Sequence, residues 1–312
     1  MKDKQRKNLA VFFALLANSI FGFSFLFSKQ ALQVATPFVL LAVRFTVAFV
    51  LLNLMLLTGK FSLRLKGKRV GLLLVLGLIQ PVAYFICENY GVRLLPTSLI
   101  GTLLALLPIV SLVAARIFLK EKARASQVFF SLLSVAGVFL TTVLKAPGDF
   151  SWAGFFLILG AVAAGVIFTV LSRGIAHEFS AFERTYVMFA LGSAVFTAVA
   201  LIESAGNVRE MILVPLGSGE FWVSILFLAG LSSVGAFMML NYAMTYQSVA
   251  KTTIFTNITT VITILAGVLI LHESFDIYQA IGSVIIIVSA YMVNAGRKDA
   301  RSVAAPGVTP EG

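Results

Sequence analysis

Cysteine is almost missing from this chain. Cys87 is the single one in 312 residues, and it falls inside an apolar run, so the chain has no internal disulfide and no cysteine-based metal site. Histidine is nearly as scarce: His177 falls in a loop and His272 at a helix end beside Glu273, places where a solvated imidazole is the ordinary expectation. Charge is thin as well, with Asp, Glu, Lys and Arg making up 12% of the chain and 13 acids facing 24 bases. No HExxH, GxSxG or GxxxxGK[ST] pattern occurs, which argues against a metalloprotease, a serine hydrolase and an ATP-driven pump built from this chain alone.

Hydrocarbon takes the place of what is absent. At 59% hydrophobic residues and mean hydropathy +0.99 the chain is far from a water-soluble domain, whose apolar share is about 45–50%. It reads as an integral membrane protein. Apolar stretches of about 20 residues, enough to cross a bilayer core at ~1.5 Å per residue, lie at 9–28, 36–57, 70–92, 97–118, 125–144, 151–172, 182–203, 219–243, 250–271 and 277–295. The basic start followed by an apolar run is like a signal peptide, but the run is long and lacks a small-x-small cleavage site, so it is read as a retained first helix.

A repeat organises these ten spans. Shifting residues 87–127 by 152 positions places Asn89-Tyr90 on Asn241-Tyr242, Ala114 on Ala266, Leu119 on Leu271, Glu121 on Glu273 and Gln127 on Gln279. Five crossings per copy is an odd number, so the second copy must point the opposite way. The fold expected is therefore all-α, with ten transmembrane helices as two inverted five-helix repeats. The divisions follow: a cytoplasmic tail 1–8, a first repeat 9–144, a Pro/Gly linker 145–150, a second repeat 151–296 and a disordered cytoplasmic tail 297–312.

Charge placement gives the orientation. With both termini cytoplasmic, Lys2, Lys4, Arg6, Lys7, the run Lys60 to Arg69, Lys120, Lys122, Arg124, Arg173, Arg184, Lys251, Arg297, Lys298 and Arg301 fall on the cytoplasmic side. Lys29, Arg93, Lys145 and Arg209 fall on the other, as the positive-inside bias requires. The net charge of +11 then needs no nucleic-acid partner. The basic loop Lys120-Glu121-Lys122-Ala123-Arg124 also corresponds to His272-Glu273-Ser274-Phe275-Asp276, from which the bases have gone.

Polar side chains inside spans are costly and usually face the bundle or a wet cavity. In the third span Gly77, Pro81, Tyr84, Glu88 and Gly91 share one face at three- and four-residue steps. The matching face of the eighth carries Ala229, Ser233, Ala236, Leu240 and Ala243, without the acid. The first span offers Asn18, Gly22, Phe25 and Lys29, and the ninth Thr253, Asn257 and Thr260. Small stripes, with Gly160 and Gly165, are read first as close helix packing. For Asn18, Asn89, Asn241 and Asn257 the alternatives stay open, since an amide either ties helices together or contacts substrate. Pro81 and Pro108 either shape a cavity wall or curve a helix.

Two charges stand deep in the spans. Arg44 lies ~12 Å and Glu88 ~9 Å from the outer end of its helix, at ~1.5 Å per residue. A lone charge at a helix centre costs about 2.5–3.5 kcal/mol, which favours a mutual pair or gate, or a substrate contact, over lipid; snorkelling of Arg44 is the competing reading. Glu88 aligns with Leu240 and Arg44 falls near Met188, so neither has a charged mate.

The residues from Asn8 to Arg297 resemble the EamA-type family of the drug/metabolite transporter superfamily. The resemblance rests on Asn18-Ser-Ile-Phe-Gly22-Phe-Ser-Phe, Pro37 with Arg44 seven residues on, Leu106-Leu-Pro108 leading to Leu119-Lys-Glu121, and Gln279-Ala-Ile-Gly282-Ser-Val. It departs where Thr260 stands in place of the proline seen at Pro108. The resemblance implies a ten-helix carrier of small metabolites, often amino acids, with a central cavity. Carried over, its wall is Asn18, Gly22, Tyr84, Glu88, Gly101, Phe168, Asn257 and Thr260, close to the set the polar stripes select. Glu121 and Glu273 would be structural helix ends.

The function expected is a secondary, non-ATP transporter in the cell membrane, exporting amino acids or related compounds by alternating access as a monomer among membrane lipid, with no cofactor. The alternatives are a carrier of nucleotide sugars or other organic solutes, a channel, and a membrane-embedded enzyme. The last lacks a second intramembrane acid to pair with Glu88. The first span carries no glutamate of the kind small multidrug exporters of the superfamily use, so proton-for-cation exchange of that type is not expected.

Overall fold

The computed structural model describes residues 3–107, 109–111, 114, 129–130, 132–137, 140, 151–247 and 255–295. Pro108, Glu121, the basic loop 120–124, the linker 145–150, Lys251, Thr253 and the tail 297–312 lie outside them. Among the described residues all regular structure is helical. The helices are α1 (Asp3–Ala31), α2 (Pro37–Leu57), α3 (Val70–Leu94), α4 (Thr97–Leu104), α5 (Trp152–Gly174), α6 (Ala181–Glu203), α7 (Gly219–Tyr246), α8 (Thr256–Leu269) and α9 (Ile277–Ala295). Most of the fifth expected span is undescribed, so α5 to α9 correspond to spans six to ten.

By length and composition α1, α2, α3, α5, α6 and α7 can each cross a membrane, and the apolar α4, α8 and α9 are shorter. The chain is a multi-pass membrane protein. Large apolar side chains such as Phe12, Leu57, Phe156 and Leu226 are exposed, as a lipid-facing surface requires. α1 begins at Asp3, taking in part of the expected tail; its first residues are exposed, so their charges stay solvated.

Helix starts are set by side chains that satisfy free N–H groups. Thr36 accepts from Val39 N with Pro37 at the first helical position, and Ser151 accepts from Gly154 N. Ser180 and Glu183 form a reciprocal capping box at α6. Glu273 accepts from Thr97 N (2.6 Å) and Ser98 N (2.8 Å), so a residue between α8 and α9 caps α4. α3 is broken midway: Pro81 cannot donate, and Gln80 takes extended torsions (φ −138°, ψ 115°), which separates Val70–Gly77 from Tyr84–Leu94.

Packing divides the bundle. α1 lies mainly on α7 and α8, α5 lies mainly on α3, and α2 packs along α6. The α2–α6 seam is aromatic, with Phe45 stacked on Phe189 at 4.9 Å and near Phe196 at 5.2 Å. Gly192 lets α6 come this close, since a Cβ there would stand 2.7 Å from Pro81. Many of the phenylalanines therefore build the core rather than the lipid face.

Chain direction is fixed by polar contacts at the helix ends. Gln247 Nε2 donates to Lys7 O (3.0 Å), and Arg173 Nη1 donates to Met244 O (2.8 Å) and Thr245 O (2.6 Å). α1 thus begins where α5 and α7 end, and α5 runs antiparallel to α1.

Candidate functional site

The break in α3 and the small residues of α1, α5 and α7 leave a cavity in the middle of the bundle. About 100 Å³ is open to the centres of water-sized molecules, and one water needs roughly 10–15 Å³ on that measure, so several waters or a small organic molecule fit. The lining repeats itself. Gln80, Phe85 and Glu88 of α3 stand 152 positions before Ser232, Phe237 and Leu240 of α7, and Leu104 and Leu107 stand 152 before Thr256 and Thr259. Phe21, Ser24 and Phe25 of α1 stand 144 before Gly165, Phe168 and Thr169 of α5. The offset changes because, in the second copy, the second and third helices and the stretch between them are all longer.

Arg44 enters this cavity from α2 and is 1% exposed, buried rather than snorkelling. Its Nε donates to Ser233 Oγ (3.0 Å) and its Nη2 to Ser232 Oγ (3.2 Å), while Ser24 Oγ also donates to Ser232 Oγ (2.8 Å). The guanidinium carbon sits 4.4 Å from the centroid of the Phe85 ring, a cation–π arrangement. Among the described residues Nη1 has no hydrogen-bond partner, and neither has Gln80 Oε1. Glu88, also buried, faces the same space, with Arg44 and Tyr84 as its electrostatic neighbours. Among the described residues no ion pair within 4.0 Å joins Arg44 to Glu88; those present are Lys68–Glu183 and Arg69–Glu178. The cavity therefore holds a spare cationic donor, a spare amide acceptor and a carboxylate inside a wall of Phe, Leu and Met.

The expected site residues separate into two groups. Asn18, Tyr84, Glu88, Phe168 and Arg44 line the cavity. Asn18 does both things open to an amide: Nδ2 donates to Ala14 O (2.7 Å), Oδ1 accepts from Thr259 Oγ1 (3.1 Å), and the residue still faces the cavity. Gly22, Gly101, Thr260 and Asn257 are outside the lining. A Cβ on Gly22 would meet Ile262 at 2.6 Å, and one on Gly101 would meet Thr263 at 3.0 Å, so both are points of close approach to α8. Thr260 is buried and bonds back to Thr256 O (3.4 Å), and Asn257 is half-buried, its Oδ1 without a hydrogen-bond partner among the described residues.

Sequence reasoning did not single out Gln80, Ser232, Thr256, Thr259 or Arg184. The first four fall at repeat-related positions, and that signal could have found them. Arg184 is 0% exposed and pairs with no carboxylate among the described residues: it donates to Ser172 O (2.8 Å) and Oγ (2.7 Å), Asn241 O (2.6 Å) and Thr245 Oγ1 (2.6 Å).

A bundle of membrane-crossing helices around a central cavity with unspent polar groups fits a membrane transporter. The chain belongs to the EamA-like transporter family, whose model matches residues 8–143 and again 151–295, within the drug/metabolite transporter superfamily. It is 35% identical over 289 residues to the uncharacterized transporter YcxC of Bacillus subtilis (strain 168), covering 91% of this chain and 92% of that one. An uncharacterized transporter of Archaeoglobus fulgidus is 22% identical over 280 residues, covering 89% and 96%. A solved crystal structure superposes with a TM-score of 0.65 over 92% of this chain and 98% of that chain, at 19% identity, which shows a shared fold. The protein is thus a transporter and not an enzyme.

Proposed function

We propose that the protein is a secondary carrier of ten helices, two inverted five-helix repeats with both termini cytoplasmic, which exports amino acids or closely related amphoteric metabolites by alternating access. The observation that carries the substrate reading is the unpartnered Arg44 Nη1 beside Glu88 and Gln80 Oε1 in an apolar cavity. A substrate carboxylate can accept from Arg44 Nη1, and its ammonium can donate to Glu88 and Gln80 Oε1. Buried polar atoms left unsatisfied cost about 1–3 kcal/mol each, and a zwitterion offsets that cost at both places. The aromatic wall then receives an apolar side chain. A nucleotide sugar fits poorly, because its two phosphates call for several cations and Arg44 is the only cationic side chain among the described lining residues.

The inverted arrangement is supported by the antiparallel course of α1 and α5 and by a lining that pairs α3 with α7 and α1 with α5. Outward direction rests on the family resemblance alone. The test is a thermal-stability screen of amino acids on purified protein, followed by counterflow in proteoliposomes. A ligand at 100 times its Kd raises stability by about 2.7 kcal/mol. Saturable counterflow that Glu88→Gln abolishes supports the reading. Stabilisation by anions lacking an amine, with Glu88→Gln unaffected, would refute it.

A further inference from the structure

The same contact is made twice, once at each end of the bundle. Lys29, near the end of α1, donates from Nζ to Val92 O (2.8 Å) and Leu95 O (3.0 Å), where α3 ends. Arg173, near the end of α5, donates from Nη1 to Met244 O (2.8 Å) and Thr245 O (2.6 Å), where α7 ends. Lys29 and Arg173 stand 144 apart, and Val92 and Met244 stand 152 apart, the offsets that relate the cavity lining. The two contacts are far from each other: Arg173 sits at the end of α7, beside Lys7, and Lys29 lies 22 residues further along α1, roughly 33 Å at ~1.5 Å per residue.

Their place in the packing gives them consequence. α1 belongs with α7 and α8, and α5 with α3, while α1 touches α3 and α5 touches α7 only sparsely. Each cation thus spans a seam between the two groups of helices, bonding carbonyls that a helix C-terminus leaves free and that carry its partial negative charge.

Glu273, which caps α4, is an electrostatic neighbour of Lys29, but the side-chain hydrogen bonds immediately around the two cations differ. Beside Arg173, Ser172 Oγ donates to Asn241 Oδ1 (2.8 Å), Asn241 Nδ2 donates to Thr185 Oγ1 (2.9 Å), and Arg184 binds Ser172 and Asn241 together. The equivalent residues beside Lys29 are Ser28 and Asn89, both buried, whose Oγ and Oδ1 have no hydrogen-bond partner among the described residues. Leu40 and Leu41 occupy the places of Arg184 and Thr185.

We propose that Lys29 and Arg173 are the two gating latches of the carrier, each holding one end of the cavity shut across the same helix seam, with the Arg173 end the harder to open. The proposal rests on the alternating-access reading above. Double electron–electron resonance on full-length Cys87→Ser protein in lipid nanodiscs tests it, with spin labels on exposed positions Gln30 and Arg93 at one end and Lys4 and His177 at the other.

Lys29→Met should raise the open fraction of the Gln30–Arg93 pair several-fold and leave Lys4–His177 short; Arg173→Met should do the reverse, and Arg184→Met should act in the direction of Arg173→Met. The charge-keeping Lys29→Arg and Arg173→Lys should bias the same pairs by less, and they decide the matter if a Met variant is not recovered. Latches are overturned if wild-type protein changes both distances with substrate while the variants move neither pair, or all move the same one. If wild-type protein changes neither distance under any substrate condition, alternating access itself fails.

Discussion

On one wall of the cavity α3 presents Gln80, Phe85 and Glu88, with Tyr84 beside them; on the other, α7 presents Ser232, Phe237 and Leu240 in the same register. The phenylalanines match, and they keep the frame alike on both sides. The polar residues do not match. A hydroxyl answers an amide, and leucine answers a carboxylate, so one wall supplies charge while the other supplies serines that hold Arg44. In the proposed carrier, shared residues build a space both copies can enclose, and unshared ones choose what enters it.

Making the walls alike should do the most damage. Glu88→Leu copies α7 onto α3 and should lower counterflow at least 100-fold while the protein still folds, because leucine suits an apolar wall; near-normal counterflow would remove Glu88 from the site. Arg44→Met should follow. A hydrogen bond to a charged group is worth about 1.5–3 kcal/mol, so the apparent Kd for substrate, read by isothermal titration, should rise about 10- to 150-fold. An unchanged Kd would make Arg44 a packing residue.

A smaller effect is expected where the copies differ for reasons of space. Gly22 has Val166 as its mate, and Gly22→Val would make the first helices alike, yet a Cβ there already stands 2.6 Å from Ile262. Overpacking costs about 1–3 kcal/mol; Tm should fall by several degrees with Kd little changed in the protein that remains folded. Gly230→Ala, where nothing lies within 4 Å, should leave Tm unaltered.

These cases show how far the sequence could be read. The long spans are legible because apolar runs are local signals, and the repeat exposes Glu88 as a residue without a mate. Gly22 and Gly101 are harder, because a missing side chain leaves room that substrate or a neighbouring helix can fill, and here α8 fills it. Charge placement puts Arg184 at a cytoplasmic helix end and does not reveal that it is buried. Its burial depends on carbonyls at the ends of α5 and α7, which no side-chain pattern announces. Ser232 was passed over because serine in a membrane helix packs as readily as alanine.

The smallest effect belongs outside both walls. Glu178 accepts from Arg69 N (2.6 Å) and Nε (2.9 Å), and these bonds hold its carboxyl below the usual carboxylate range. A lowered carboxylate pKa contributes stability that is present above the unfolded value and lost as pH falls through the folded one. Glu178→Gln should therefore lower Tm slightly at neutral pH, and the difference from wild type should vanish in acid. Transport should not change, and a transport defect would extend the functional region beyond the cavity.

The central claim is that one ligand is gripped at two ends, by Arg44 and by Glu88. The most direct measurement is a binding cycle with a substrate taken from the stability screen, its carboxylate-blocked ester and its amine-blocked N-acetyl derivative, each titrated into wild type, Arg44→Met and Glu88→Gln. The account predicts that the ester binds wild type and Arg44→Met equally weakly, and that the N-acetyl derivative binds wild type and Glu88→Gln equally weakly. If each substitution instead weakens all three ligands by the same factor, neither residue touches the group assigned to it.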